Sequence, residues 1–182
     1  NVPVFYFPYI VAPSPLRKKR KSGFLNPSFN FNFLDTKTSQ STSLPYYFAI
    51  SEDKEMLLTP TINYGGGVDA SQRIVTQYDQ LISGGAVDIK ISADTNLEND
   101  NNENWLRDAS IVTNFNKNLN EKFRINMNSA FQTSPTYLRR TDQNNLLNRK
   151  NTLNTTLDIN GYDIIEQNDT LLFTVAGYQV VR

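Results

Sequence analysis

The chain has 182 residues, enough for one ordinary domain, and its 18 basic and 18 acidic side chains cancel. That balance argues against nucleic acid as a partner, because a phosphate-binding domain normally carries excess positive charge. Cysteine and histidine are both absent; this stretch therefore has no thiolate or disulfide and lacks the commonest general base and metal ligand, which lowers the odds of triad or zinc chemistry, and no enzyme activity, cofactor or metal is expected in the reading reached below.

The chain opens on Asn1 and closes on "TVAGYQVVR", inside an apparent strand, so a piece of a longer protein is expected. Its longest apolar run, "VPVFYFPYIVAP", is too short and too rich in proline for a spanning helix. The basic run Arg17, Lys18, Lys19, Arg20 and Lys21 follows; its plain reading is a solvated linker, and the neutral chain argues against a nucleic-acid patch. In "SGFLNPSFNFNFLD", Phe29, Phe31 and Phe33 alternate with Ser28, Asn30 and Asn32, which gives a strand with one apolar and one wet face. Pro27 sits inside that strand and removes a ladder donor.

Period two recurs downstream. Met56, Leu58, Pro60, Ile62 and Tyr64 share one face of a predicted strand, with Leu57, Thr59, Thr61 and Asn63 on the other. Val87, Ile89, Ile91 and Ala93 oppose Asp88, Lys90, Ser92 and Asp94. Phe123, Ile125, Met127, Ser129 and Phe131 oppose Arg124, Asn126, Asn128 and Ala130, and Leu153, Thr155, Leu157 and Ile159 oppose Asn154, Thr156, Asp158 and Asn160. With less regular segments at 44–51, 72–82, 105–116 and 170–181, about nine strands are expected. Abundant asparagine and scarce alanine suit turns better than long helices.

The connections alternate in length. "DTKTSQST", "GGGVD", "TNLENDNNEN" and "TSPTYLRRTDQNNLLNRKN" are the longer ones, and "SEDK", "SGG", "NKNLNE" and "IIEQND" the shorter. Transmembrane barrels have this asymmetry, with short turns at one rim and long loops at the other. A secreted or periplasmic β-sandwich binding module also alternates polar and apolar residues, and the pattern leaves it open. An outer-membrane barrel hydrolase is the enzyme alternative, and it would need a nucleophile and base from outside these residues. Glu52, Asp53 and Glu55 cluster at a tight turn without either, so they read as solvated turn residues. Gly65 to Gly67 support a turn but lack the lysine and helix of a phosphate loop. Tyr6, Tyr9, Tyr46, Tyr47, Tyr64, Tyr78 and Trp105 suit either ordinary core or the aromatic girdles of a barrel.

Pro3 to Tyr9, Arg20, Ser22 to Leu25, Pro27, Pro45 to Tyr47, Asp53 and Leu58 to Pro60 together form an ordered set of motifs. In order and spacing this set resembles the lipopolysaccharide-assembly (LptD, organic-solvent-tolerance) family across residues 2–64, with "SPTYLRR" a fainter echo beyond. The glycines after "TPTINY" depart from the arginine-glycine turn of that pattern, and the family's cysteines have no counterpart here. The resemblance implies an all-β chain: an antiparallel transmembrane β-barrel fragment over residues 22–182, preceded at 1–21 by the last strand of a periplasmic jelly roll and a linker. It implies a cell outer-membrane location with the N-terminal end periplasmic. It also implies a translocon component that inserts lipopolysaccharide into the outer leaflet through a lateral gate between the first and last strands. Pro27 and Pro45 would form that gate, Phe29, Phe31 and Phe33 would face lipid, and Arg17 to Lys21 would meet lipid phosphates. The implied partners are lipopolysaccharide, outer-membrane lipids, an LptE-like plug lipoprotein, an LptA-like jelly-roll bridge protein and the barrel-assembly machinery.

Overall fold

The computed structural model describes residues 20–30, 40–64, 71–96, 106–138, 152–166 and 169–181. Their strands are β1 (Gly23–Phe24), β2 (Ser28–Asn30), β3 (Gln40–Ser43), β4 (Tyr46–Ser51), β5 (Lys54–Tyr64), β6 (Ser71–Ile82), β7 (Gly85–Asn96), β8 (Leu106–Asn118), β9 (Phe123–Gln132), β10 (Thr152–Tyr162) and β11 (Thr170–Val180). All belong to one antiparallel sheet in which β4 to β11 lie in chain order, with β1 beside β4 and β2 beside β3, which itself pairs with β5. The nine expected strands are present as nine rows, because the first two rows are each broken in the middle. The second row also starts earlier than its apolar residues indicate: β3 takes in polar residues of the expected "DTKTSQST" connection, held by pairing with β5.

Strands β5 to β11 are 10 to 13 residues long. A tilted strand needs about 9–11 residues to cross hydrocarbon. The connections at one end of the sheet have two to seven residues and those at the other six to nineteen. At the short end Gly84 takes a φ of 78°, a left-handed conformation that glycine adopts without a Cβ clash. At the next short turn the Asn120 side-chain oxygen accepts from the backbone N–H groups of Lys122 (2.9 Å) and Phe123 (2.7 Å).

Ladder register carries the alternation from strand to strand. Leu58 pairs with Thr76, Thr76 with Ile91, Ile91 with Ile111 and Ile111 with Phe131, so one apolar row crosses five strands. On the other face Thr61, Arg73, Asp94 and Asp108 form a row, and Asp88, Asn114 and Asn128 another. In a sandwich the apolar face would be the buried one. Here Ile62, Ile91, Ile111 and Phe131 are 48%, 45%, 40% and 51% exposed, so among the described residues no second sheet covers them. An open, two-faced antiparallel sheet of this kind fits a β-barrel fragment.

Residues 22–182 expressed alone, without detergent, are expected to aggregate, because the uncovered apolar face and two open sheet edges would both meet water; a monodisperse, cooperatively melting product in plain buffer would refute the outward-facing assignment. At the short-turn end, a Cβ on Gly85 would sit 1.9 Å from the Asn116 carbonyl oxygen, whereas one on Gly23 would meet nothing within 4 Å. Gly85→Ala in the full protein should therefore cost about 1–3 kcal/mol by forcing β7 and β8 apart. Gly23→Ala should be near neutral, both read from urea unfolding midpoints.

Candidate functional site

Proline breaks the first two rows. Pro27 lies between β1 and β2, and Pro45 between β3 and β4. Gly23 and Phe24 pair with Tyr47 and Tyr46, while Ser28, Phe29 and Asn30 pair with Ser43, Thr42 and Ser41. Leu25, Asn26 and Pro27 thus face only Leu44 and Pro45, the two-sided mismatch of a β-bulge. The extra residue resets the faces. Phe24 and Phe29 are an odd number of residues apart, yet their partners Tyr46 and Thr42 pair with Leu58 and Ile62, both on the apolar face. Without the bulge one of the two phenylalanines would point to the wet side.

Pro45 and Pro60, the latter in β5, also remove specific bonds. Leu25 donates its N–H to the Pro45 carbonyl at 2.9 Å, and Leu44 donates to the Pro60 carbonyl at 3.2 Å. In each pair the return bond cannot form, because proline has no N–H. The first and second rows, and the second and third, therefore each lack a bond at the same level of the sheet. Among the described residues β1 and β2 have strand partners on one side only, as does β11.

Phe29 is 54% exposed on the apolar face, and Ser28 bonds Ser43 on the other. Phe31 and Phe33 lie outside the described residues, as do Arg17, Lys18 and Lys19, the glycines at 65–67, and Tyr6, Tyr9 and Trp105. Arg20 forms an ion pair with Glu55, which also accepts from the Tyr47 hydroxyl at 2.8 Å; Lys21 is exposed. Glu55, Asp79 and Asp88 are lateral neighbours on the polar face and, with Arg20 and Asp53, line a shallow cleft at the short-turn end. Asp53, in the turn, has its carboxyl pKa lowered by the Ser51 hydroxyl bonded to it. Tyr46 packs edge-on against Phe24, with ring centroids 4.9 Å apart. Among the described residues no cluster of acids suits a metal ion.

A second site has only a faint signature in the sequence, the "SPTYLRR" stretch. After β9 the chain turns onto the polar face, where Tyr137 is fully buried and Leu138 nearly so. The Tyr137 hydroxyl donates to Asp94 at 3.0 Å and lies 2.7 Å from the Ser92 hydroxyl. Asp94 is gripped by Arg73 through Nε at 2.7 Å and a terminal nitrogen at 3.1 Å, a bidentate fork that compensates a buried carboxylate. Gln132 accepts from the Leu138 N–H at 2.9 Å and donates to the Pro135 carbonyl at 2.8 Å. Its own backbone is paired by the Gln179 side chain, which accepts at 3.0 Å and donates at 2.7 Å. Burial pushes the Tyr137 phenol up to about 12, Asp94 adding to the shift against the lowering bond to Ser92, so it stays protonated at neutral pH. This network ties the segment after β9 to the polar face of the sheet.

No protein-family model matches the chain. Curated proteins do. It is 34% identical over 99 residues to the LPS-assembly protein LptD of Shewanella sp. (strain ANA-3), a match covering 46% of this chain and 12% of that protein. The LptD of Marinobacter nauticus is 30% identical over 111 residues, 59% of this chain and 14% of that protein. The LptD of Burkholderia cenocepacia is 39% identical over 68 residues, 37% of this chain and 8% of that protein. The chain thus spans well under a fifth of the length of these relatives. Over the matched stretches it is LptD-like.

Proposed function

We propose that this chain is part of the wall of an outer-membrane translocon that delivers lipopolysaccharide to the outer leaflet through a lateral opening beside its first strands. The observation that carries the reading is the proline-broken pair of rows at one edge of a sheet whose apolar face is uncovered, in a chain similar to proteins named for LPS assembly. In this reading residues 22–182 begin the barrel, and residues 1–21 end a periplasmic domain. The short turns face the periplasm and the long connections face outward. The protein acts as a conduit, not an enzyme. Acyl chains would leave through the wall between first and last strands, with the sugars carried along the polar interior.

Pro27 and Pro45 fit a gate because Pro27 stands in the bulge of the first row and Pro45 leaves the ladder beside it short of a bond, worth about 0.5–1.5 kcal/mol net. The Pro45 deficit lies between the first and second rows, so it loosens the strand that borders the opening from behind. Phe29, Phe31 and Phe33 would meet lipid. Arg17 to Lys21 would stand at the periplasmic rim near lipid phosphates, with Arg20 already engaged by Glu55. A plug lipoprotein, a jelly-roll bridge protein and the barrel-assembly machinery complete the proposed partners.

The face assignment is tested on one strand. Ile111→Arg should cost assembly about 2–4 kcal/mol if that residue sits near the bilayer midplane. Asn114→Arg, on the wet face beside Asp88, should be mild; equal tolerance at both positions would invert the reading. The gate is tested by replacing Pro27 and Pro45 together with valine. The closed wall should gain about 1–3 kcal/mol, lowering the open population about 5- to 150-fold. Lipopolysaccharide arrival at the surface should fall at matched barrel abundance, with Pro45→Val alone giving a smaller loss. Normal delivery by the assembled double variant would return both prolines to edge protection.

A further inference from the structure

Side-chain bonding in the first rows gathers at the short-turn end. There the Ser22 hydroxyl, one residue before β1, accepts the Ala49 N–H of the second row at 2.9 Å. Phe24 packs edge-on against Tyr46, which in turn lies against Phe48 with ring centroids 4.5 Å apart. Arg20 reaches further. Its guanidinium passes the second row and pairs with Glu55 of β5 in the third, and the same carboxylate accepts from Tyr47 of the second. Three successive rows therefore meet at one carboxylate. Past Pro27, toward the long-connection end, the first row has the three ladder pairs of β2 with β3 and the Ser28–Ser43 contact, and neither of these reaches beyond the second row.

The ion pair has help from its surroundings. Asp79 and Asp88 follow Glu55 across the sheet and Asp53 lies in the turn, so the cleft sets four carboxylates around the one guanidinium of Arg20. An isolated exposed pair is weak because water screens it and both side chains lose freedom. Here a surplus of negative charge holds the cation, and Arg20 stands only three residues before β1, so its anchorage fixes the start of that strand.

We propose that Arg20, Tyr47 and Glu55 are positioning residues that clasp the foot of the first row to the third, so that the row moves at the lateral opening only above its bulge. This rests on the reading of that opening beside the first strands. The bulge at Leu25 to Pro27 interrupts the ladder just past the clasp, so β2 can shift while β1 stays in place. A lipid leaving sideways then finds the first row displaced within the membrane and fixed at the short-turn rim.

The test is amide hydrogen exchange in the full-length protein, extracted from the outer membrane in detergent. It is read on residues 22–24 and 46–49 at the foot and on 28–30 and 41–43 past the bulge. Arg20→Ala should speed exchange at the foot about fivefold, equivalent to about 1 kcal/mol of lost clasp, and leave the upper residues within about twofold of the parent. Arg20→Lys, which keeps the charge, should speed it less. Glu55→Gln should act like Arg20→Ala, since an amide oxygen still accepts from Tyr47 but attracts no cation. Added salt should loosen the foot of the parent and change that of Arg20→Ala little, because the pair is exposed. Unchanged exchange at the foot in both Arg20→Ala and Glu55→Gln overturns the clasp, and an equal rise past the bulge overturns the confinement. If neither variant assembles, a foot indifferent to salt in the parent overturns the clasp instead. Lipopolysaccharide delivery by the Pro27 and Pro45 double variant reports separately on the opening: normal delivery beside a rise confined to the foot defeats the opening and not the clasp.

Discussion

Backbone pairing between neighbouring strands, held in register along most of each ladder and shifted only locally, as at Ala49–Ser51 and Asp94–Thr95, is the interaction on which everything else in this sheet depends. In hydrocarbon an unpaired N–H or C=O has no water to turn to, so a strand wall must satisfy its polar groups laterally. The same ladders fix the faces: Ile91 stays beside Ile111, and Asp94 beside Asp108, only while no residue is gained or lost between β7 and β8. At the first row a residue is gained, and the bulge at Leu25 to Pro27 returns Phe29 to the side of Phe24. One proline-bearing irregularity therefore does two things. It keeps Phe24 and Phe29 on one face, and it thins the bonding at the edge where a gate is proposed.

Much of this was legible in the sequence. Strands with strict alternation, such as the one holding Val87, Ile89 and Ile91, announced both their existence and their faces, because side-chain direction in a strand is a local property. The alternation of long and short connections was equally readable, and the broken rows were visible as prolines. Where the breaks fall was not: Pro27 and Pro45 looked like residues within strands, and only the pairing partners reveal that three residues oppose two. β3 was missed because "QSTS" has no apolar signal and is strand only through its neighbour β5.

The Tyr137 network lay beyond reach for a different reason. Its hydroxyl meets residues more than forty positions earlier in the chain, and Gln179 meets Gln132 across a similar separation. Such contacts follow from the order of strands in space and from where a long connection turns, neither of which periodicity encodes. One weak hint existed: the "SPTYLRR" segment places an aromatic and a leucine at the start of a connection that is mostly polar. In a loop at the surface those side chains have little to pack on, and their presence signals that the loop has found a wall.

The tight links at one end of the sheet join β4 to β5, β6 to β7, β8 to β9 and β10 to β11. Each such pair is a hairpin whose ladder closes on itself with little chain between, so it is a natural unit of zippering as the wall forms. It is also the natural unit of inheritance. Duplicating or deleting one hairpin shifts the chain by two strands, returns it travelling in the same direction, and leaves every remaining side chain facing as before. Gain or loss of a single strand would reverse the chain and put its connections at the wrong rim. A wall of this construction changes circumference most readily in even steps.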